Sequence, residues 1–96
     1  IIPAAFNLTT GPAHWSILTR ARAIDNQVFI VGASPAKNTN LKYISYGHSV
    51  IVNPWGKVIA NAGYSEKIIF GKINIDFVDQ IRQQLPVLLH KRLDLY

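Results

Sequence analysis

The chain has 96 residues, 49% of them hydrophobic, with ten Lys/Arg against five Asp/Glu for a formal charge of +5, and with neither cysteine nor methionine. That length allows one domain at most, burying about 60–65% of the surface its unfolded form exposes, and the apolar content excludes a disordered segment. Disulfides and thiolate metal sites are excluded, and no apolar run approaches the ~18 residues that span a bilayer.

Ile1 to Phe6 predicts a short buried strand, an apolar run bounded by the turn-prone Asn7-Leu8-Thr9-Thr10-Gly11-Pro12. Gly11 is placed to cap a helix, with Pro12 at the first helical position, where a missing N–H costs nothing. From Pro12 to Asn26 the residues Ile17, Leu18, Ala21 and Ile24 share one helical face and predict the stripe that meets the core. Arg20, Arg22 and Asp25 fall mostly off that stripe. Val28 to Ala33, β-branched and aromatic without a charge, predicts a central strand buried on both faces. Pro35 to Tyr46 predicts a polar surface loop anchored by Leu41, Tyr43 and Ile44.

Ser49 to Val52, then Asn53-Pro54-Trp55-Gly56, then Lys57 to Ala60 predict a hairpin, with Pro54 presetting φ and Gly56 tolerating a positive φ. Lys67 to Ile75 alternates and predicts a further strand at an edge. Asp76 is placed to cap a second helix with the apolar stripe Phe77, Val78, Ile81 and Leu85, stopped by Pro86. Val87 to Tyr96 is an apolar and basic tail that needs somewhere to dock. The order strand, helix, strand, hairpin, strand, helix predicts a layered α/β fold. Two helices do not cover both faces of its sheet, which points to a partner or to further polypeptide. The opening on Ile1-Ile2-Pro3 without a cap, in a chain lacking methionine, carries the same expectation of preceding sequence.

The chemistry-bearing residues are few. Ser49 follows His48 directly, and neighbours on a strand point to opposite faces, which argues against a catalytic dyad. His14, His48 and His90 lie on separate elements without ligand spacing, so no metal is expected. Asp25, Glu66, Asp76, Asp79 and Asp94 form no close carboxylate pair, and no Gly-rich phosphate loop is present. The positive residues are scattered, with His90-Lys91-Arg92 the one short cluster, so neither nucleic acid nor membrane is expected as a partner. A small basic nucleic-acid-binding domain remains the lesser reading.

Ala5-Phe6-Asn7-Leu8-Thr9-Thr10-Gly11-Pro12-Ala13-His14-Trp15, Arg20-Ala21-Arg22-Ala23-Ile24-Asp25-Asn26-Gln27, Tyr46-Gly47-His48-Ser49 and Asn53-Pro54-Trp55-Gly56 resemble the C-terminal third of the nitrilase superfamily of carbon–nitrogen hydrolases. The likeness runs on through Ile81 to Pro86 and Lys91 to Tyr96. The wording of Phe6 to Trp15 and of Arg82 to Pro86 is similar to the omega-amidase branch in particular. The resemblance implies that residues 1–96 form the C-terminal part of one αββα sandwich, whose two-fold homodimer stacks into four layers. It implies hydrolysis of the side-chain amide of alpha-ketoglutaramate or alpha-ketosuccinamate, releasing ammonia and a dicarboxylate without a cofactor. The Cys, Glu and Lys of that mechanism belong to family segments that precede Ile1, so the resemblance transfers no catalytic role to any residue here and implies that the chain alone is inactive.

The resemblance does imply a pocket wall. Phe6, Asn7, Thr9 and Thr10 are the substrate-side candidates, with Phe6 shaping the pocket and the Asn7 amide and threonine hydroxyls bonding a carboxylate or carbonyl. Phe6 as core, with Asn7 and Thr10 as turn and cap residues, is the equal alternative. Trp15, Arg20 and Arg22 are placed at the dimer interface, Trp15 also being suited to the core. His48 is expected to hydrogen-bond inside the fold, and Trp55 to cover the hairpin end. A cytoplasmic location with a mitochondrial share follows from the branch alone. A non-catalytic dimerisation module is the second reading.

Overall fold

A computed structural model describes residues 1–96. Its elements are β1 (Ile2–Pro3), a π-helical turn (Gly11–Trp15) running directly into α1 (Ser16–Asn26), β2 (Ile30–Ala33), β3 (Val50–Val52), β4 (Val58–Asn61) and α2 (Ile75–Gln84). The four strands form one sheet in chain order. β1 and β2 are parallel, with Ile2 opposite Gly32, and the helical crossover between them supplies the length a parallel pair needs. β2–β3 and β3–β4 are antiparallel. The α/β architecture expected from the sequence is present, with β2 inside the sheet as read.

The hairpin is also as read. Asn53 organises its turn, the side-chain Oδ1 accepting from the amides of Trp55 and Lys57 at 3.0 Å each. Its own amide donates to the Lys57 carbonyl at 2.9 Å. Trp55, at the tip, is exposed.

The core is a cluster of Trp15, Ala23, Ile30, Val50 and Val52, with Ile2, Ala4, Phe6, Val28, Tyr46 and Val58 packed around it. Here the expected α1 stripe is corrected. The buried residues are Trp15, Thr19 and Ala23, spaced four apart, whereas Ile17 is 67% exposed and Leu18 and Ile24 are also on the surface. Small side chains on the inner face let the helix lie close to the sheet. Thr19 is tolerated there because its hydroxyl donates to the Trp15 carbonyl at 2.9 Å, leaving no orphaned polar group.

Other expectations shift. Residues 1–6 yield only a two-residue strand at the sheet edge, half-buried rather than buried, although Ala4 N continues the ladder to the Ala33 carbonyl. On β2, Ile30 and Gly32 are buried but Val31 is half-buried and Ala33 exposed, so only the helix-facing side is covered. The residue before the helical turn is Thr10, not Gly11, and it makes no side-chain cap bond; the Asn7 side chain does the capping, taking the Thr9 and Thr10 amides. Lys67 to Ile75 forms no strand: it crosses the hairpin with Gly71 against Ile51, no ladder partner beside it and Phe70 87% exposed.

Asn74, not Asp76, caps α2, its Oδ1 accepting from the Asp76 amide at 3.1 Å. Phe77, Val78 and Ile81 face inward as read, with Leu85 half-exposed at the end before Pro86. α2 is tied to α1 by Gln27, whose Nε2 donates to the Leu85 carbonyl at 2.6 Å while its buried Oε1 has no partner. The tail after Pro86 stays exposed and turns on itself rather than docking.

Candidate functional site

The strand directions bring several loops to one end of the sheet. The carboxyl ends of β1 and β2, the start of β3 and the end of β4 all lie there. Open α/β sheets bind ligands outside the carboxyl ends of parallel strands. The candidate site is therefore the region formed by residues 6–10, 34 and 46–49 with 62–67.

Asn7 is the hub of the first loop. Its Oδ1 accepts from the Thr9 amide at 2.9 Å, the Thr10 amide at 2.8 Å and the Thr10 hydroxyl at 3.0 Å. Its backbone carbonyl accepts from Gly11 N at 2.8 Å. These bonds satisfy amides at the helix start that the helix itself cannot pair. Three donors converging on one atom also fix which end of the amide is oxygen. Among the side-chain polar groups of this loop, Asn7 Nδ2 and the Thr9 hydroxyl have no partner in the chain. Phe6 turns inward, its ring 5.3 Å from the Trp15 ring.

The second wall is Tyr46-Gly47-His48-Ser49. Tyr46 N donates to the Phe6 carbonyl at 2.7 Å, and His48 N to the Gly63 carbonyl at 2.7 Å. Gly47 and His48 both adopt left-handed backbone, at φ 77° and 62°, which is ordinary for glycine and strained for histidine. The imidazole stacks on Tyr46 at 4.0 Å and meets the edge of Tyr64 at 4.4 Å. Its Nδ1 lies 2.9 Å from the Tyr46 carbonyl.

Ser49 and His48 share no hydrogen bond. Ser49 Oγ donates to the Ser34 carbonyl at 3.0 Å and accepts from the Ser34 amide at 2.9 Å. Both hydroxyl functions are thereby used in joining β2 to β3, which removes Ser49 as a nucleophile. Among histidine, aspartate and glutamate no group of three could hold a metal ion. In the C-terminal tail Arg92 and Asp94 hold each other charged through their side-chain hydrogen bonds, Arg92 raised and Asp94 lowered.

Of the residues singled out in the sequence, Phe6, Asn7, Thr9 and Thr10 are brought together on one loop. Trp15 and Arg22 line a separate hollow that Phe6 also borders, and Arg20 stands apart from it. Trp15 is packed inside this chain at 3% exposure, which leaves a partner almost none of its surface. Arg20 reaches the hairpin, its Nε donating to the Gly56 carbonyl at 2.8 Å. Arg22 lies beside Asp25 at 3.6 Å, both exposed. Sequence reasoning missed Tyr64 and the left-handed backbone of His48. Gly47 and Gly63 beside aromatic residues were the available signal.

Comparison with known proteins bears on this arrangement. The family model described as carbon-nitrogen hydrolase matches residues 2–83. The chain is 53% identical over 96 residues to the omega-amidase of Homo sapiens, covering 100% of this chain and 35% of that protein. It superposes on the C. elegans NitFhit protein with a TM-score of 0.90 at 47% identity, covering 96% of this chain and 22% of that one. For a Saccharomyces cerevisiae member of branch 10 of the nitrilase superfamily the TM-score is 0.86 at 45% identity, over 92% of this chain and 32% of that one. The chain thus spans about a third of the length of the curated relatives it matches, 35% in each of those above 50% identity. Its sheet, its helices and its sequence over residues 2–83 place it in the carbon–nitrogen hydrolase family.

Proposed function

We propose that this chain serves an omega-amidase-like hydrolase, supplying scaffold and one wall of a cleft that takes a short ω-amide acid such as alpha-ketoglutaramate or alpha-ketosuccinamate. The observation that carries this reading is the 53% identity to an omega-amidase along the whole chain, Asn7-loop and His48 segment included. The reaction is attack of a thiolate on the amide carbon, with a carboxylate moving protons and an ammonium stabilising the oxyanion, to give the dicarboxylate and ammonia. With no cysteine among the 96 residues, the nucleophile belongs to polypeptide outside this chain.

Within that reading Asn7 Nδ2 and the Thr9 hydroxyl face the substrate's polar end, and Phe6 supports the loop from the core. Arg20 and Arg22 meet the second subunit of a homodimer. The apolar residues Ile17, Leu18 and Ile24, exposed on α1, support an outward contact there.

The test is a hybrid enzyme in which these 96 residues replace the matching part of the Homo sapiens omega-amidase. Ammonia release from alpha-ketoglutaramate at a rate within about tenfold of the unaltered enzyme is the expected result, a change of about 1.4 kcal/mol in the barrier. A folded hybrid that hydrolyses some other amide and leaves ω-amide acids intact would overturn the reading.

A further inference from the structure

At the same end of the sheet as the Asn7 loop, a cleft of about 210 Å³ is lined by residues that include Ser34, His48, Ser49, Glu66 and Lys67. Histidine at φ 62° costs backbone strain that glycine would avoid. Such strain persists where the surrounding structure enforces it, and it clusters at functional sites. Here the surroundings enforce the ring rather than only the backbone: Tyr46 stacks on one face at an interplanar angle of 13°, and Tyr64 closes from the side at 82°.

The tautomer follows from the partner. The Tyr46 carbonyl can only accept, so the Nδ1 that lies 2.9 Å from it carries the proton. In the neutral ring Nε2 is then a hydrogen-bond acceptor. Nε2 has no partner in the chain and, not being among the buried unsatisfied atoms, keeps some exposure, on a residue that lines the cleft. At the rim, Lys67 and Glu66 are both exposed, and neither takes part in an ion pair, since those of the chain are Arg22–Asp25 and Arg92–Asp94. One acceptor nitrogen, one carboxylate and one ammonium match a small molecule that carries N–H donors at one end and a carboxylate at the other. The volume, below the ~300–1,000 Å³ of drug-sized sites, suits a ligand of few heavy atoms.

We propose that His48 is a ligand-contacting residue, its Nε2 accepting an N–H from a short amide-bearing carboxylic acid held in this cleft, with Lys67 facing the carboxylate. The choice of ligand rests on the omega-amidase-like reading, while the site rests on the geometry of Tyr46, His48 and Tyr64.

The experiment has two readouts in the hybrid enzyme. The first is binding of glutaramate, a five-carbon acid with one carboxylate and one primary amide, followed by the ¹⁵N resonances of His48. The Nδ1–H tautomer is expected beforehand, with a shift at Nε2 on adding glutaramate and none on adding glutarate, which lacks the N–H donor. The second is kinetics of His48→Asn, chosen because asparagine tolerates left-handed backbone. KM for alpha-ketoglutaramate should rise about 3- to 10-fold, the loss of one hydrogen bond, with kcat changed less than about twofold because binding alone is lost. An Nε2–H tautomer, an equal response to glutarate, or an unchanged KM overturns the proposal. A hybrid that leaves ω-amides intact while glutaramate still shifts Nε2 defeats the proposed activity and leaves the site standing.

Discussion

The indole Nε1 of Trp15 donates a 2.7 Å hydrogen bond to the carbonyl oxygen of His48, thirty-three residues away. This bond joins the start of the first helix to the strained segment before β3, so the two walls of the candidate site are held by one core residue. The ring lies over Gly32, where an added Cβ would stand 2.7 Å from the indole Cζ2. The close approach of helix to sheet thus depends on a side chain and a missing side chain together.

Trp15→Phe keeps most of the packing and removes the donor. It should lower stability by about 1–3 kcal/mol, the cost of an unpaired buried acceptor, and Gly32→Ala should do the same by overpacking. Chemical denaturation of the hybrid enzyme measures both, and a Trp15→Phe variant as stable as the parent would remove the bond from the account.

Asn7 has two separable functions. Asn7→Ala removes the acceptor for Thr9, Thr10 and the Thr10 hydroxyl and should cost about 0.5–2 kcal/mol as a lost cap. Asn7→Asp keeps the acceptor and adds a charge that a helix start favours, so stability should be retained. It loses the Nδ2 donor, so KM for an ω-amide acid should rise. Equal KM values for the Asp variant and the parent would leave Asn7 with the cap alone.

The two faces of α1 should respond oppositely. Ala23 is fully buried and Ile17 67% exposed, so Ala23→Leu should destabilise by about 1–3 kcal/mol and Ile17→Leu, which keeps an apolar side chain there, by less than about 0.5 kcal/mol. Thermal unfolding of the two variants checks the ranking, and the reverse order would restore the stripe read from the sequence.

Asp94 should titrate below the ordinary carboxylate range because Arg92 hydrogen-bonds its ionised form. A lowered folded value means that the pair contributes above the unfolded aspartate pKa and is lost as the pH falls through the folded one. Carbon-13 titration of Asp94 reads this directly, and Arg92→Ala should return it to the normal range.

What was legible in the sequence is local. The hairpin follows from Asn53, Pro54 and Gly56, and the central position of β2 from an uncharged β-branched run. The Asn7 turn could be read from an Asn two and three residues before its threonines. The remainder depends on distant partners. Alternation over Lys67 to Ile75 suits a strand, but a strand exists only beside a ladder partner, and none lies there. The inner face of α1 was set by packing against the sheet, where Trp15 fills the space over Gly32 and the small Thr19 and Ala23 let the helix approach. Asn74 and Asp76 are both able to cap, and the extended backbone of Asn74, φ −107° and ψ 111°, decided between them. For the left-handed His48 the adjacent Gly47 was the one local signal, and the ring is held by Tyr64 from beyond the hairpin.

The most direct measurement is steady-state ammonia release from alpha-ketoglutaramate by the 96-residue chain alone and by the same chain within the hybrid. No turnover is expected from the chain alone, which has no cysteine, and turnover is expected once the remainder of the enzyme is joined to it. Hydrolysis by the chain alone would contradict this, as would a folded hybrid inert toward ω-amides.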